Sequence, residues 1–310
     1  MDPNVDLDFL YQNYLDYSDD MTKKEEAFDY LQQALVADTD EERIELCKRA
    51  LEVNPDMLEA ETVILRTSGL SGSELQKKMK SLLDKAERRL EKLGINRQED
   101  AGMYYDLPET DSFIMVYREY MDLLVEISKL RKAAEVGENI LYLNEDDDLE
   151  ARFDLLAIYA VLEEQRKAQE LFEVYEMKSS ARALMTMSML YYKLDLEKKA
   201  VDYLKKLMKM VPDIQNAFKV IDEDPYLVNQ ELNFTDVTEN SANEILLEYI
   251  GHPFLHEPTS VYVSWALENM QKLELKKSKT KKKGKQTAVP SGKSQLCVLD
   301  NPKKSGKKKK

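Results

Sequence analysis

Three alanines, Ala133, Ala168 and Ala200, stand 35 and 32 positions apart. Each belongs to the second of two short amphipathic runs separated by a turn. Around the first lie Tyr117, Met121 and Leu124, then Ala133 and Gly137, with Glu145 closing the unit. The second has Leu155, Leu156 and Tyr159, then Ala168 and Phe172, closing at Ser180. The third has Leu184, Met187, Ser188 and Tyr191, then Ala200 and Leu204, closing at Pro212. Apolar residues at helical spacing, renewed every 34 residues or so, constrain the fold strongly. One such helix pair cannot bury its own apolar face, but three consecutive pairs stack into a continuous core.

The third unit carries the pattern most completely. Its small residues, Ser188 and Ala200, permit close helix approach, Tyr191 and Leu204 fill the space beside them, and Pro212 stops the second helix. This pattern resembles the tetratricopeptide repeat, with Leu where that motif has Trp and Phe. The resemblance implies an all-α fold: an α-α superhelix, a TPR-like solenoid of antiparallel helix pairs.

Composition agrees. The 310 residues are 43% hydrophobic with only 9 Gly and 9 Pro, enough for a sizeable helical core. Charge is divided sharply along the chain. Residues 1–275 hold 31 Lys and Arg against 58 Asp and Glu, a net of about −27, whereas 276–310 hold 14 Lys and one Asp, about +13. An acidic body is a poor general nucleic-acid platform; the Lys-rich tail suits phosphates. Cys47 and Cys297 make neither a metal spacing nor a disulfide framework. The first residues, MDPNVDLDFL, have no basic stretch followed by an apolar run, and no window has the roughly 18 apolar residues of a membrane span. A soluble cytoplasmic protein is expected.

Ahead of the three units, residues 5–17 read as a helix ended by Ser18-Asp19-Asp20, followed by helices over 23–37 and 41–53 that form a degenerate TPR-like pair, about 23–55, ending at Asn54-Pro55. Ala27, Leu31, Ala34 and Ala50 take repeat positions there, but Arg43 stands where Ala is expected. Helices over 56–67 and 74–93 complete an N-terminal helical region, 1–94, with Gly94 as the stop. An irregular aromatic loop spans 95–111, its Met103-Tyr104-Tyr105 cluster expected to be packed. The three repeats fill 112–213. A divergent helical cap, with helices at 214–221, about 239–250 and 259–275, covers 214–275. The Lys-rich tail, 276–310, is expected to be disordered.

Residues 99–144 further resemble a family of bacterial tetratricopeptide proteins that place an aromatic loop before a repeat. Gly102-Met103-Tyr104-Tyr105-Asp106-Leu107-Pro108-Glu109-Thr110 carries the likeness, which extends over 99–265. Asp111-Ser112 depart from it, standing where Arg-Pro would be. The family is named for its repeat rather than for an activity, so the likeness implies an interaction role. By analogy the first helix of each repeat lines a groove, which places there Met115, Arg118 and Asp122, then Phe153 and Ala157, then Arg182, Met185, Met189 and Tyr192. Met and aromatic side chains adapt to an apolar partner, and Arg can fix a carboxylate.

Other constellations are weaker. His252 and His256, with Glu257, are spaced for zinc on a helix, but Pro253 and Pro258 make an inter-helix turn the better reading. The runs Asp146-Asp147-Asp148 and Asp222-Glu223-Asp224 suit helix caps or solvated faces. There is no Gly-rich phosphate loop and no nucleophile elbow. The expected function is therefore a non-enzymatic interaction or scaffold protein that binds a protein or peptide segment in its groove, without cofactor or metal. The alternative is a nucleic-acid or ribosome-associated factor contacting RNA or another anionic surface through Lys281, Lys282, Lys283, Lys307, Lys308, Lys309 and Lys310. These lysines lack the interleaved aromatics that stack on bases.

Overall fold

Thirteen α-helices and no strand make up the part of the chain that the structure, a computed structural model, describes: residues 7–223, 228, 232 and 234–286, with side chains over 21–223, 228, 232 and 235–275. They are α1 (Leu7–Leu35), α2 (Asp40–Val53), α3 (Leu58–Thr67), α4 (Gly72–Lys92), α5 (Asp111–Glu126), α6 (Leu130–Leu143), α7 (Ala151–Leu162), α8 (Gln165–Val174), α9 (Ala181–Lys193), α10 (Glu197–Met210), α11 (Ile214–Glu223), α12 (Ala242–Gly251) and α13 (His256–Gln286). The chain divides into two compact units, Met1–Leu267 and Glu268–Lys310.

Within the first unit the three repeats are the pairs α5/α6, α7/α8 and α9/α10. Each helix packs on its sequence partner, α6 also packs on α7, and α7 packs on α9. This is the arrangement of a TPR-like solenoid. The apolar repeat residues named from sequence are all buried, with Met121, Leu124, Ala133, Ala168, Leu184, Ala200 and Leu204 at 0% exposure. Ser188, fully buried, donates from Oγ to the carbonyl of Ala200 at 2.8 Å, so the small residues sit at the close helix crossing and the buried hydroxyl is satisfied.

The turn inside each pair is built the same way. Ser128, Glu163 and Asp195 have φ of 58°, 59° and 55°, a left-handed conformation that ends the first helix. The next residue then donates back five positions: Lys129 N to Leu124 O, Glu164 N to Tyr159 O and Leu196 N to Tyr191 O, at 2.7, 2.9 and 2.9 Å. Each left-handed residue lies five positions before a repeat alanine, so backbone geometry and packing keep one period.

The N-terminal region differs from expectation in one respect. Ser18-Asp19-Asp20 do not end a helix: α1 runs unbroken from Leu7 to Leu35. Ser and Asp are middling helix formers, and this stretch has no Gly or Pro to stop it. Arg43, the misfit in the degenerate pair, turns back onto the end of α1. Its Nε and Nη2 donate to the carbonyls of Ala34 and Ala37, at 3.3 and 3.0 Å, and its Nη1 pairs with Asp40 at 2.7 Å. A guanidinium there satisfies terminal carbonyls at the negative end of the helix dipole.

In the loop before α5, Tyr104 is buried, but Met103 and Tyr105 are 53% and 40% exposed, so only one of the three aromatic-cluster residues packs. The chain turns here, with Asp106 N and Leu107 N both bonding the carbonyl of Met103, and the turn leaves Tyr104 facing the body while Met103 and Tyr105 face outward. Gly102 N and Tyr104 N bond the carbonyls of Tyr142 and Leu143, at 3.0 and 2.9 Å, and Tyr104 meets Phe113 edge-on. The stretch 276–286, expected to be disordered, continues α13 to Gln286. Lysine has high helix propensity, and Gly284 is the weakest position of the stretch. Residues 287–310 lie outside the described residues.

Candidate functional site

The groove positions fall into two classes. Met185, Met189 and Tyr192, on α9, lie against other parts of the chain. Met185 and Met189 are each 1% exposed, the Oγ1 of Thr259 approaches the sulfur of Met189 at 3.5 Å, and Tyr192 packs against Tyr262 and Trp265 with ring centroids 5.9 and 4.9 Å apart. Met185 and Met189 are too buried to meet a partner, which corrects that expectation for them, and the first turns of α13 lie against Met189 and the half-buried Tyr192. Phe153 is also buried, beneath the guanidinium groups of Arg152 and Arg182, which lie 4.6 and 3.9 Å from its ring centroid. Ala157 is fully buried. Met115 remains 43% exposed.

Arg118, Asp122 and Arg182 line a cleft of about 870 Å³ between α5, α7, the start of α9 and the end of α12. Val125, Leu149, Ile250, Pro253 and Phe254 give it apolar surface; Glu126, Glu150, Asp154 and His252 add charge. Both arginines are committed internally. Arg118 Nη2 pairs with Asp154 at 2.5 Å, and Arg182 pairs through Nε with Glu248 at 2.6 Å and through Nη1 with Glu150 at 3.0 Å. They are therefore not available to fix a partner's carboxylate, because each already neutralises a buried one.

His252 joins the two halves. Its Nε2 donates to Asp154, and its Nδ1 donates to the carbonyl of Glu248 at 3.0 Å, with the Glu248 carboxylate 3.4 Å away. With both ring nitrogens donating, the ring is an imidazolium. Burial alone would lower its pKa, but the Asp154 hydrogen bond and the Glu248 and Asp154 charges raise it to about 9. Asp154 moves the other way: burial works against its charge and is outweighed by His252 and Arg118, which hold it below the usual carboxylate range. Charged groups thus converge in a cleft, yet the histidine is protonated at neutral pH and has no free nitrogen to accept a proton.

His256 goes elsewhere. It stacks on Tyr249 at 4.3 Å, and its Nε2 meets the carbonyl of Tyr249 at 2.7 Å, so the two histidines do not face one another. In the acidic run before α7, Asp147 is buried and accepts from Ala151 N at 2.7 Å and Arg152 N at 3.1 Å, making it the anchor of that helix's N-terminus. Lys281, Lys282 and Lys283 fall on α13 where side chains are outside the described residues, as are Lys307, Lys308, Lys309 and Lys310 entirely.

Sequence reasoning missed Asp154, Glu248 and the ionic role of His252. One signal was present. Asp154 is the lone charge in Phe153-Asp154-Leu155-Leu156-Ala157-Ile158-Tyr159-Ala160, a run buried on every side, and such a carboxylate requires a cationic partner. The partners themselves, on α5 and near α12, share no local pattern with it.

No family model matches the chain, and no curated protein matches it. Among solved structures, the chain is similar to YrrB, described as a TPR protein with an unusual peptide-binding site. The two are 19% identical, the match covers 60% of this chain and 87% of that one, and the TM-score is 0.38.

Proposed function

We propose that this chain is a TPR-like interaction protein without chemistry of its own, which holds a peptide or protein segment in the cleft bounded by α5, α7, α9 and α12. One observation carries this reading. The cap covers the α9 part of the first-helix face but leaves beside it a recess of about 870 Å³ with both apolar and charged walls. Such mixed lining, on helices fixed by a stacked core, suits recognition by side-chain contacts. Within the charged cluster His252 is already protonated and Asp154 is held by two cations, which favours binding over acid-base catalysis by that pair.

Gly251 gives a direct test. It lines the cleft, and a Cβ built on it meets no atom within 4 Å, so a large side chain can enter there without disturbing the fold. Peptides selected by the wild-type protein from a random display library should lose binding to Gly251→Trp while the melting temperature stays within a few degrees. Equal binding by the two proteins would overturn the proposal.

A further inference from the structure

The cleft's charged groups are layered by sign. Side chains of the cations Arg118, Arg182 and His252 are 21%, 18% and 12% exposed, whereas those of Asp122, Glu126 and Glu150 are 41%, 57% and 56% exposed. The cations are thus the inner members, consumed by Asp154 and Glu248, and the groups facing open space are carboxylates. Their compensation is incomplete. Asp122 lies 3.4 Å from Arg118 Nε, too poorly aligned for a hydrogen bond, and that nitrogen has no hydrogen-bond partner. Burial, the largest influence, pushes Asp122 above the usual carboxylate range; Arg118 opposes this while Asp154 and Glu119 add to it. Glu126 shares Arg66 with Glu119, two carboxylates to one guanidinium.

From this layering, and resting on the cleft reading above, we infer that the occupant is a cationic peptide segment. A Lys or Arg of the segment meets Asp122, Glu126 and Glu150, and a neighbouring apolar side chain lies against Val125, Leu149, Ile250 and Phe254. The field of the whole body points the same way. Residues 1–275 carry an excess of about 27 negative charges, which draws cationic segments in and repels acidic ones. An ammonium among the three carboxylates adds a cation where Arg66, Arg118 and Arg182 are each shared between two carboxylates; an acidic segment would add a further negative charge.

Three substitutions at Gly251 test this with little risk to folding, since the position is open. Peptides selected by the wild-type protein at low ionic strength should be enriched in Lys or Arg beside an apolar residue. Relative to Gly251→Gln, their affinity should fall roughly three- to fivefold in Gly251→Lys and rise by a similar factor in Gly251→Glu, with the difference shrinking as salt is added. Asp122→Asn should weaken binding while leaving the melting temperature near wild type, because Asp154 still holds Arg118. Selection of acidic or uncharged peptides, selection of none, or equal affinities for the Lys, Gln and Glu variants would overturn the inference. Peptides blocked by Gly251→Trp yet indifferent to charge would remove the cationic partner and leave the cleft; peptides indifferent to Gly251→Trp would remove both.

Discussion

His252 and Asp154 stand 98 positions apart in the chain and share a hydrogen bond that ties the end of α12 to the middle of α7. Through it, the cap is fastened to the second repeat as well as packed on the third. Asp154 also holds Arg118 of α5, and Glu248 of α12 holds both His252 and Arg182 of α9. One ionic cluster thereby joins all three repeats to the cap. A buried cluster of this kind is weak as a net source of stability, but breaking it on one side leaves an uncompensated charge.

Stability should therefore depend on pH through His252. Its folded pKa, about 9, lies above the ordinary value of 6.5. A raised pKa means that the protonated ring stabilises the fold fully below about 6.5, and that this contribution declines as pH rises to about 9 and is absent beyond. The shift corresponds to roughly 3 kcal/mol. Urea titrations from pH 6 to 9.5 should show the wild type losing stability over that window, while His252→Gln is less stable at pH 6 and nearly flat. An identical pH slope in both proteins would show that another group is responsible.

The contrast between packing and site explains what the sequence could reveal. Tyr191, Ala200 and Leu204 were legible because packing in a repeat is local: each helix pair must satisfy the same spacing, and 34 residues later the requirement recurs. The cluster was not legible because Asp154, Glu248 and His252 meet only after the cap folds back, and nothing periodic relates them. Another long-range contact, Thr259 of α13 on Met189, closes that side of the groove. On sequence Met185 and Met189 occupy groove positions, but whether a groove position is open depends on what covers it.

The left-handed turn residues offer a stability gain. Glu163 and Asp195 adopt φ of 59° and 55° without the conformational freedom of glycine. Replacing either with Gly removes a backbone penalty that L-residues pay in this region. Asp195→Gly should stabilise by roughly 0.5 kcal/mol, and Glu163→Gly by roughly 0.5–1 kcal/mol less whatever its 3.6 Å pair with Lys193 contributes. Thermal melts of the single and double variants would show additive gains, since the turns belong to different repeats.

Met189 separates core from recognition surface. A carboxylate placed there would be buried beneath Thr259 without a cationic partner. Met189→Asp should cost more than about 3 kcal/mol and loosen the cap, seen as a lower melting temperature and faster amide exchange in α13. Met115→Asp, at a 43% exposed position on the same nominal groove, should change stability by less than about 0.5 kcal/mol. Comparable losses in both would contradict the covering of α9 by the cap.

Gly137 holds the place that Phe172 and Leu204 fill in the next two repeats, and the missing side chain is replaced from the facing helix. A Cβ on Gly137 would lie 3.0 Å from Met121 Cε, 3.3 Å from Met121 Sδ and 3.3 Å from Leu155 Cδ1. All three atoms are ends of side chains, and methionine adapts readily. Gly137→Ala should therefore fall within about 1 kcal/mol of wild type, as the helix-propensity gain offsets the crowding. Gly137→Leu inserts far more volume against fully buried Met121 and should cost about 1–3 kcal/mol. If Met121 is what fills the gap, Met121→Ala should be destabilising alone but should restore part of the stability lost in Gly137→Leu. A double-mutant cycle by urea unfolding reads this coupling, and strict additivity of the two changes would mean that the two positions do not share one space.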